Sequence, residues 1–530
     1  MFRSDGVLRD AESMTLGEAL RRLAEVRGDS TALLSADQNL TWAELDVAVD
    51  GFAALLKEVG VQAGDVVGFM VTKRPEVVVG FLACVRIGAI MAPINFKLHP
   101  DHIRDQLCTA GIQAVVVESC FNHILKGVLL ELPDPRKIIY VEGPGRHGSS
   151  WVGMPGVASA PSLEGFAPDI DTPCYYNYTS GTTGRPKGAI TTHRNIMENA
   201  ISTVTGLGFR DDDVFLGMFS VFAHPHELFH RSLVTGAPFL ILDTLSPRVV
   251  VQAVDRFRVT WMMAVPSFYE MMLDHAGMAS EGTPTVADIS SLRVLESGGA
   301  YVGAETLARM ERLFGARFLP VWGCTEATGV ALANGGGLPN ARRKPGATGC
   351  VVDGYEVKVV DERGRETAPG EAGEMVIRGP AMVSGYINNT EETEALFRDD
   401  WYYTRDLVRI DEDGFIFFVG RRSEMLKIGG IRVYPLEIEK VLKEHPEVRD
   451  VVVVRAEERV RGEVARAIVS TVSGSTLNAR SAQQYCRDRL AVYKVPRFVE
   501  FWAEVPKMPN GKIDKRTILD TPVDPKRDER

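Results

Sequence analysis

At 530 residues, 45% of them hydrophobic, the chain exceeds what one hydrophobic core usually serves and predicts a folded protein of two or more domains. A formal net charge of -10 without basic runs excludes a nucleic-acid surface, which would cluster Lys and Arg, but leaves nucleotides open as small ligands. Cys84, Cys108, Cys120, Cys174, Cys324, Cys350 and Cys486 are scattered without a C-x-x-C pair, against a zinc site and for a reducing compartment; with no signal-peptide-like or membrane-length apolar stretch, a cytoplasmic protein without an integral membrane segment is expected.

In chain order, Thr15-Leu-Gly-Glu18 is a capping box opening a helix with the apolar face Leu16, Ala19, Leu20 and Leu23. Thr41-Trp-Ala-Glu44 repeats the device ahead of Leu45, Ala48, Val49, Phe52 and Leu56. A strand-like Val66-Val-Gly-Phe-Met-Val71 follows, then a helix beginning near Pro75. Helices alternating with apolar strands predict βαβ units and a parallel sheet covered on both faces. Charged residues on these helices read as solvated faces.

Tyr178-Thr-Ser-Gly-Thr-Thr-Gly-Arg-Pro-Lys-Gly-Ala-Ile190 has no apolar periodicity. Its glycines let backbone N–H groups approach an anion, Thr179, Ser180, Thr182 and Thr183 add hydroxyl donors, and Lys187 adds charge. It reads as a phosphate-gripping loop between strand ends. A Walker A loop is excluded, because Gly184 is followed by Arg185-Pro186-Lys187-Gly188.

The same run resembles the signature loop of the acyl-adenylate-forming (AMP-binding) superfamily, in its acyl-CoA synthetase branch. That resemblance implies an α/β protein: a large N-terminal domain of parallel-rich sheets covered by helices, residues 1–422, and a small mobile α+β C-terminal domain, residues 423–530. It also implies ATP, Mg²⁺ and CoA as cofactors and co-substrate. A carboxylate attacks the α-phosphate of ATP to give acyl-AMP and pyrophosphate, and a thiol then displaces AMP. The loop residues, with Gly181 and Gly184, fall on the phosphates.

Further along, His224 and His226 flank Pro225, which blocks regular structure, whereas His230 reads as a core residue. The family places an aromatic residue or histidine of this segment beside the incoming carboxylate. Imidazole suits that task, because it donates a hydrogen bond without the pairing strength of Arg. The residues leave the two histidines open, and His224 is carried forward as the candidate.

Leu292 to Ala300 reads as a strand ending in Ser297-Gly-Gly-Ala300, where missing side chains leave room for a flat ring; the resemblance puts adenine against Gly298, Gly299 and Ala300. Phe318-Leu-Pro-Val-Trp322 runs into Gly323-Cys-Thr-Glu326, matching the family's aromatic-Gly-x-Thr-Glu pattern. Trp322, Gly323 and Thr325 then belong to the nucleotide site. Glu326 matches the magnesium ligand, supported by Thr182 or Thr183.

Trp401-Tyr-Tyr-Thr-Arg-Asp-Leu407 resembles the Thr-Gly-Asp motif whose Asp accepts both ribose hydroxyls, a role falling on Asp406. Arg405 stands at the Gly position, so a positive φ there would be strained. In Gly420 to Gly430, Arg421 matches the arginine on ribose and phosphates, Ser423 occupies the hinge position, and Lys427, Gly429 and Gly430 match the loop entering for the thiol step. Strands at 451–454 and 467–472 and helices at 436–443 and 481–490 suggest a compact α+β domain. Pro509-Asn-Gly-Lys512 is a turn presenting Lys512, the match to the catalytic lysine, a mobile charge for the carboxylate and α-phosphate as they meet.

The expected activity is an ATP-dependent carboxylate–CoA ligase, with carrier-protein loading as the alternative; no carrier motif precedes the end at Arg530. Its partners are then a small carboxylic acid, ATP and CoA, and a homodimer is one assembly open to it. The segments expected to line the acyl pocket hold Trp261, Phe268 and Tyr269 as walls and no Lys or Arg, which favours an aromatic, alicyclic or medium-chain monocarboxylate over a dicarboxylate.

Overall fold

The computed structural model describes residues 2–4, 6–121, 123–124, 137–141, 149–151, 168–179, 187–244, 246–275, 287–299, 302–337, 341–428, 431–458, 462–507 and 513–523. The chain forms two compact units. One holds Met1–Pro345, Gly349–Glu356 and Arg378–Tyr402, the other Gly346–Thr348, Val357–Ile377 and Tyr403–Arg530.

Both expected capping boxes are present. Thr15 N–H donates to Glu18 Oε2 at 2.7 Å and Thr41 N–H to Glu44 Oε2 at 2.8 Å, opening the helices Leu16–Arg27 and Trp42–Glu58. Pro75 starts Pro75–Arg86, where its missing N–H and fixed φ are no handicap.

The first unit carries two large sheets. One has seven strands in the order Ser149–Trp151, Ile138–Val141, Ile112–Glu118, Val66–Met70, Ile90–Pro93, Pro173–Thr179 and Lys187–Thr192, parallel except for the last pair. All five residues of Val66–Met70 are buried, as a strand covered on both faces requires. The other sheet has nine strands, and its centre, Phe215–Gly217, Trp261–Ala264, Val294–Ser297 and Arg317–Cys324, is parallel. Leu216, Met262, Leu295 and Phe318 of these strands pack with Val250 and Val254 of the helix Pro247–Phe257 and with Met310 and Phe314 of Ala304–Phe314. Candidate residues sit where these parallel strands end.

In the second unit, Asp406 to Ile410 of the strand Trp401–Ile410 pair with Ile416–Arg421, and a three-stranded sheet of Val448–Glu458, Gly462–Thr471 and Phe498–Phe501 packs with the helices Pro435–Lys443 and Ala479–Arg487. The expected strands here prove longer, because the hairpin ladder continues past its apolar centre to Glu458↔Gly462. The helix expected at 481–490 begins earlier, since Asn478 caps it through the N–H of Ser481 at 3.0 Å.

Candidate active site

Phosphate-loop residues are carried by a hairpin whose strands pair Tyr178 with Gly188 and Thr179 with Lys187. Ser180, Gly181, Thr182, Thr183, Gly184 and the side chain of Thr179 lie outside the described residues. Lys187 Nζ is ion-paired to Glu392 Oε1 at 2.7 Å and stands 5.9 Å from the Tyr386 ring centroid. Its charge is thus already matched, and it meets a phosphate only by sharing or exchanging that partner. The chain 385–387 lies along this strand, with Ile190 N–H donating to Gly385 O and Ile387 N–H to Gly188 O. Gly188 permits the approach, since a Cβ there would come within 2.8 Å of Ile387 Cγ2.

The histidine segment forms a short 3-10 turn, Pro225–Leu228, with Pro225 at its first position. The structure separates the two histidines that the sequence left open. His226 is fully enclosed, its Nε2 2.7 Å from Thr328 O, and burial pushes its pKa down to about 4. His224 keeps 23% of its side chain exposed, with Nδ1 3.2 Å from Asn177 Nδ2 and Nε2 3.5 Å from Thr325 Oγ1. His230 is buried with Nε2 3.2 Å from Asn199 Oδ1, in keeping with its reading as core.

Thr325 and Glu326 begin a 3-10 turn directly after the strand Arg317–Cys324. Gly323 is required here, because a Cβ would stand 2.3 Å from Gly329 O. Gly298 and Gly299 follow Val294–Ser297 on the neighbouring strand, and Gly299 takes φ 85°, a conformation open to glycine. Trp322 is half-buried near the end of the strand Arg317–Cys324. These residues share the C-terminal edge of the parallel strands, where such sheets bind ligands. Ala300 lies outside the described residues.

Glu326 is 7% exposed, and its Oε1 accepts a 2.5 Å hydrogen bond from the Tyr386 hydroxyl. Burial and that carboxylate push the Tyr386 hydroxyl's pKa far up, so it stays a donor. Among the described residues no cluster of three His, Cys, Asp or Glu could hold a metal. A lone oriented carboxylate nevertheless fits magnesium, which takes most of its ligands from phosphate and water.

In the second unit Asp406 is buried, pairs across the ladder with Arg421, and has Oδ1 3.2 Å from Arg421 Nε. Arg405 does take a positive φ, 62°, and its N–H donates to Glu374 Oε1 at 3.0 Å. Lys427 is exposed, with its N–H donating to Glu463 Oε2 at 2.7 Å. Ser423 lies in the 3-10 turn Arg422–Glu424, whose Glu424 pairs with Lys515 at 2.6 Å. Lys507 and Ile513 form an isolated bridge. Gly429, Gly430 and Lys512 lie outside the described residues.

One expectation is corrected. Trp261 and Tyr269 do not wall an open pocket: both are fully buried, Trp261 Nε1 donating to Glu296 Oε2 at 2.7 Å and the Tyr269 hydroxyl bonded to Met262 O and Glu296 O at 2.8 Å. Phe268 belongs to the same core, 5% exposed. The amphipathic rings of Trp261 and Tyr269 satisfy a buried carboxylate and backbone instead. Sequence reasoning missed Tyr386 and Glu392, whose partners lie far away along the chain. Ser384-Gly-Tyr386, a turn signal before an aromatic, was their one local trace.

The AMP-binding enzyme family matches residues 20–387, and the AMP-binding enzyme C-terminal domain matches residues 437–512. A feruloyl-CoA synthase of Amycolatopsis sp is 31% identical over 511 residues, covering 95% of this chain and 98% of that protein. An indoleacetate–CoA ligase of Aromatoleum aromaticum is 29% identical over 513 residues, with 95% and 98% covered. Among solved structures, an anthranilate CoA ligase in complex with anthranoyl-AMP is similar with a TM-score of 0.86 at 26% identity, covering 96% of this chain and 97% of that one.

Proposed function

The chain belongs to the AMP-binding enzyme family, and from that premise we propose that it is an ATP-dependent, AMP-forming carboxylate–CoA ligase acting on an aromatic monocarboxylic acid. In the first step the carboxylate oxygen attacks the α-phosphorus of ATP, giving acyl-AMP as pyrophosphate leaves. In the second the CoA thiol attacks the acyl carbonyl, giving the thioester as AMP leaves.

The observation that carries the reading is the grouping of His224, Thr325 and Glu326 at the C-terminal edge of the parallel strands, His224 Nε2 being 3.5 Å from Thr325 Oγ1. His224 donates to the incoming carboxylate. Glu326 and Thr182 would hold Mg²⁺, which neutralises triphosphate charge. Lys187 and the loop Thr179 to Gly184 take the phosphates, Gly298 to Ala300 and Trp322 the adenine, and Asp406 and Arg421 the ribose side. Lys512 meets the α-phosphate, while Lys427, Gly429 and Gly430 serve the thiol step. The scatter of the seven cysteines along the sequence without a C-x-x-C pair supports a cytoplasmic location. The aromatic acid is supported by relatives named for feruloyl, indoleacetate and anthranilate substrates.

The test is pyrophosphate release over a panel of acids, with and without CoA. CoA-stimulated turnover on an aromatic monocarboxylate is expected. Turnover only with a carrier protein, or a clear preference for a dicarboxylate, overturns the reading.

A further inference from the structure

Two polar side chains that the reaction described above does not use stand against His224. Asn177, on the strand Pro173–Thr179 that leads into the phosphate loop, is fully buried. Its Nδ2 lies 3.2 Å from His224 Nδ1, and its Oδ1 is buried without a hydrogen-bond partner. A buried amide that leaves one acceptor orphaned is held there by the bond it does make. That bond makes Nδ1 the acceptor, so the ring's proton sits on Nε2, the nitrogen facing Thr325.

Glu227 comes from the 3-10 turn beside His224. It is 6% exposed, its Oε2 is 4.0 Å from His224 Nδ1, and its Oε1 fills the space that a Cβ on Gly329 would need, 2.6 Å away. Arg231 acts on it electrostatically, but that guanidinium is committed to a bidentate bond with Glu296 at 2.5 and 2.9 Å. The other groups around it are Tyr175 and Tyr355, whose hydroxyls donate to Ala223 O and Ala327 O, and the rings of His226 and His230.

We propose that Asn177 and Glu227 are positioning residues for His224: the amide fixes the Nδ1 edge of the ring so that Nε2 carries the proton, and the carboxyl beside it sets the charge that the incoming acid meets. This rests on the reading of His224 as the group that meets the carboxylate. Burial pushes the Glu227 carboxyl up to about 8, with Arg231 opposing and Glu296 reinforcing the shift. At neutral pH it therefore presents no negative charge to a carboxylate substrate. Above that value it becomes an anion beside the place where the acid docks, and acid binding weakens.

The experiment measures kcat and KM for the acid in pyrophosphate release from pH 6 to 9.5 at saturating ATP, and KM for ATP at saturating acid. In the wild type the acid KM should rise about tenfold above pH 8 while the KM for ATP stays level, the size expected of one nearby like charge. Glu227→Gln, isosteric and always neutral, should abolish the rise. Asn177→Leu should raise the acid KM at every pH. Spectra of ¹⁵N-histidine-labelled wild-type protein, with His224→Ala to assign the signal, should show His224 protonated on Nε2 and a shift that inflects near pH 8; this readout needs neither positioning variant to fold. Superimposable pH profiles for wild type and Glu227→Gln, or a His224 protonated on Nδ1, overturn the proposal. An acid KM unaffected by His224→Ala overturns the assignment of His224 itself, a failure distinguishable from the first.

Discussion

The Tyr386 hydroxyl donates a 2.5 Å hydrogen bond to Glu326 Oε1 across 60 residues of sequence, tying one carboxylate oxygen in place and aiming the other. Outer groups of this kind set the orientation of a metal ligand as much as the ligand's identity does. Tyr386→Phe should raise the magnesium needed for adenylation by about 10-fold, and Glu326→Gln by more, with ATP weakened more than the acid. Magnesium titrations of pyrophosphate release, alongside thermal melts to exclude unfolding, decide it. Wild-type metal dependence in both variants would refute the assignment.

Lys512→Ala should lose about 10²–10³ in the rate of acyl-AMP formation, the usual effect of removing one charge aimed at a transition state. Thioester formation from supplied acyl-AMP should survive. Unchanged pyrophosphate release would sink the role of Lys512.

Gly430→Leu should show the reverse pattern, because a side chain on the Lys427 to Gly430 loop would obstruct the pantetheine arm only in the thiol step. Adenylation should persist while CoA transfer fails. An equal fall in both half-reactions would count against separate roles for Lys512 and this loop.

Arg405 holds φ 62°, a left-handed conformation that costs a side-chain-bearing residue about 1–2 kcal/mol. Glycine relieves that strain but adds about 0.5–1 kcal/mol of unfolded-state entropy. Arg405→Gly should therefore change stability by less than about 1 kcal/mol, towards stabilisation, while Arg405→Val, β-branched and stiffer, should destabilise by about 1–2 kcal/mol. Urea unfolding measures both. A large loss for the glycine variant would mean that contacts of the arginine side chain outweigh the strain.

Glu227 also links stability to pH. Its carboxyl is raised by burial to about 8 from an ordinary 4.5, so between these values the folded state holds a proton that the unfolded state has released, and stability falls as pH rises through that window. Glu227→Gln removes the term. The variant should gain on the wild type by a few kcal/mol in order of magnitude between pH 4.5 and 8, then run parallel above it. His226, depressed by burial to about 4, acts oppositely, its stability contribution being lost as pH falls below 6.5. Urea midpoints at pH 5, 6.5 and 8 give the difference, and one that does not change with pH refutes the buried-acid reading.

Local rules made much of this protein legible in its sequence. Capping boxes at Thr15 and Thr41 and the proline at 75 place helix starts because they act within one turn of chain. Apolar runs such as Val66–Met70 mark parallel strands because those are buried on both faces. At Arg405 the resemblance posed only a condition, strain if the backbone turned to positive φ where the family has glycine, and the structure met it with φ 62°. Tertiary structure alone decided what depends on partners distant in sequence. Burial made His226 a core group and left His224 part-exposed, although both flank the same proline. Trp261 became a donor to Glu296 rather than a pocket wall, and Lys187 acquired Glu392. Side-chain chemistry and spacing are written along the chain, whereas desolvation and the matching of charges are properties of the packed interior and come into being only when the strands are laid side by side.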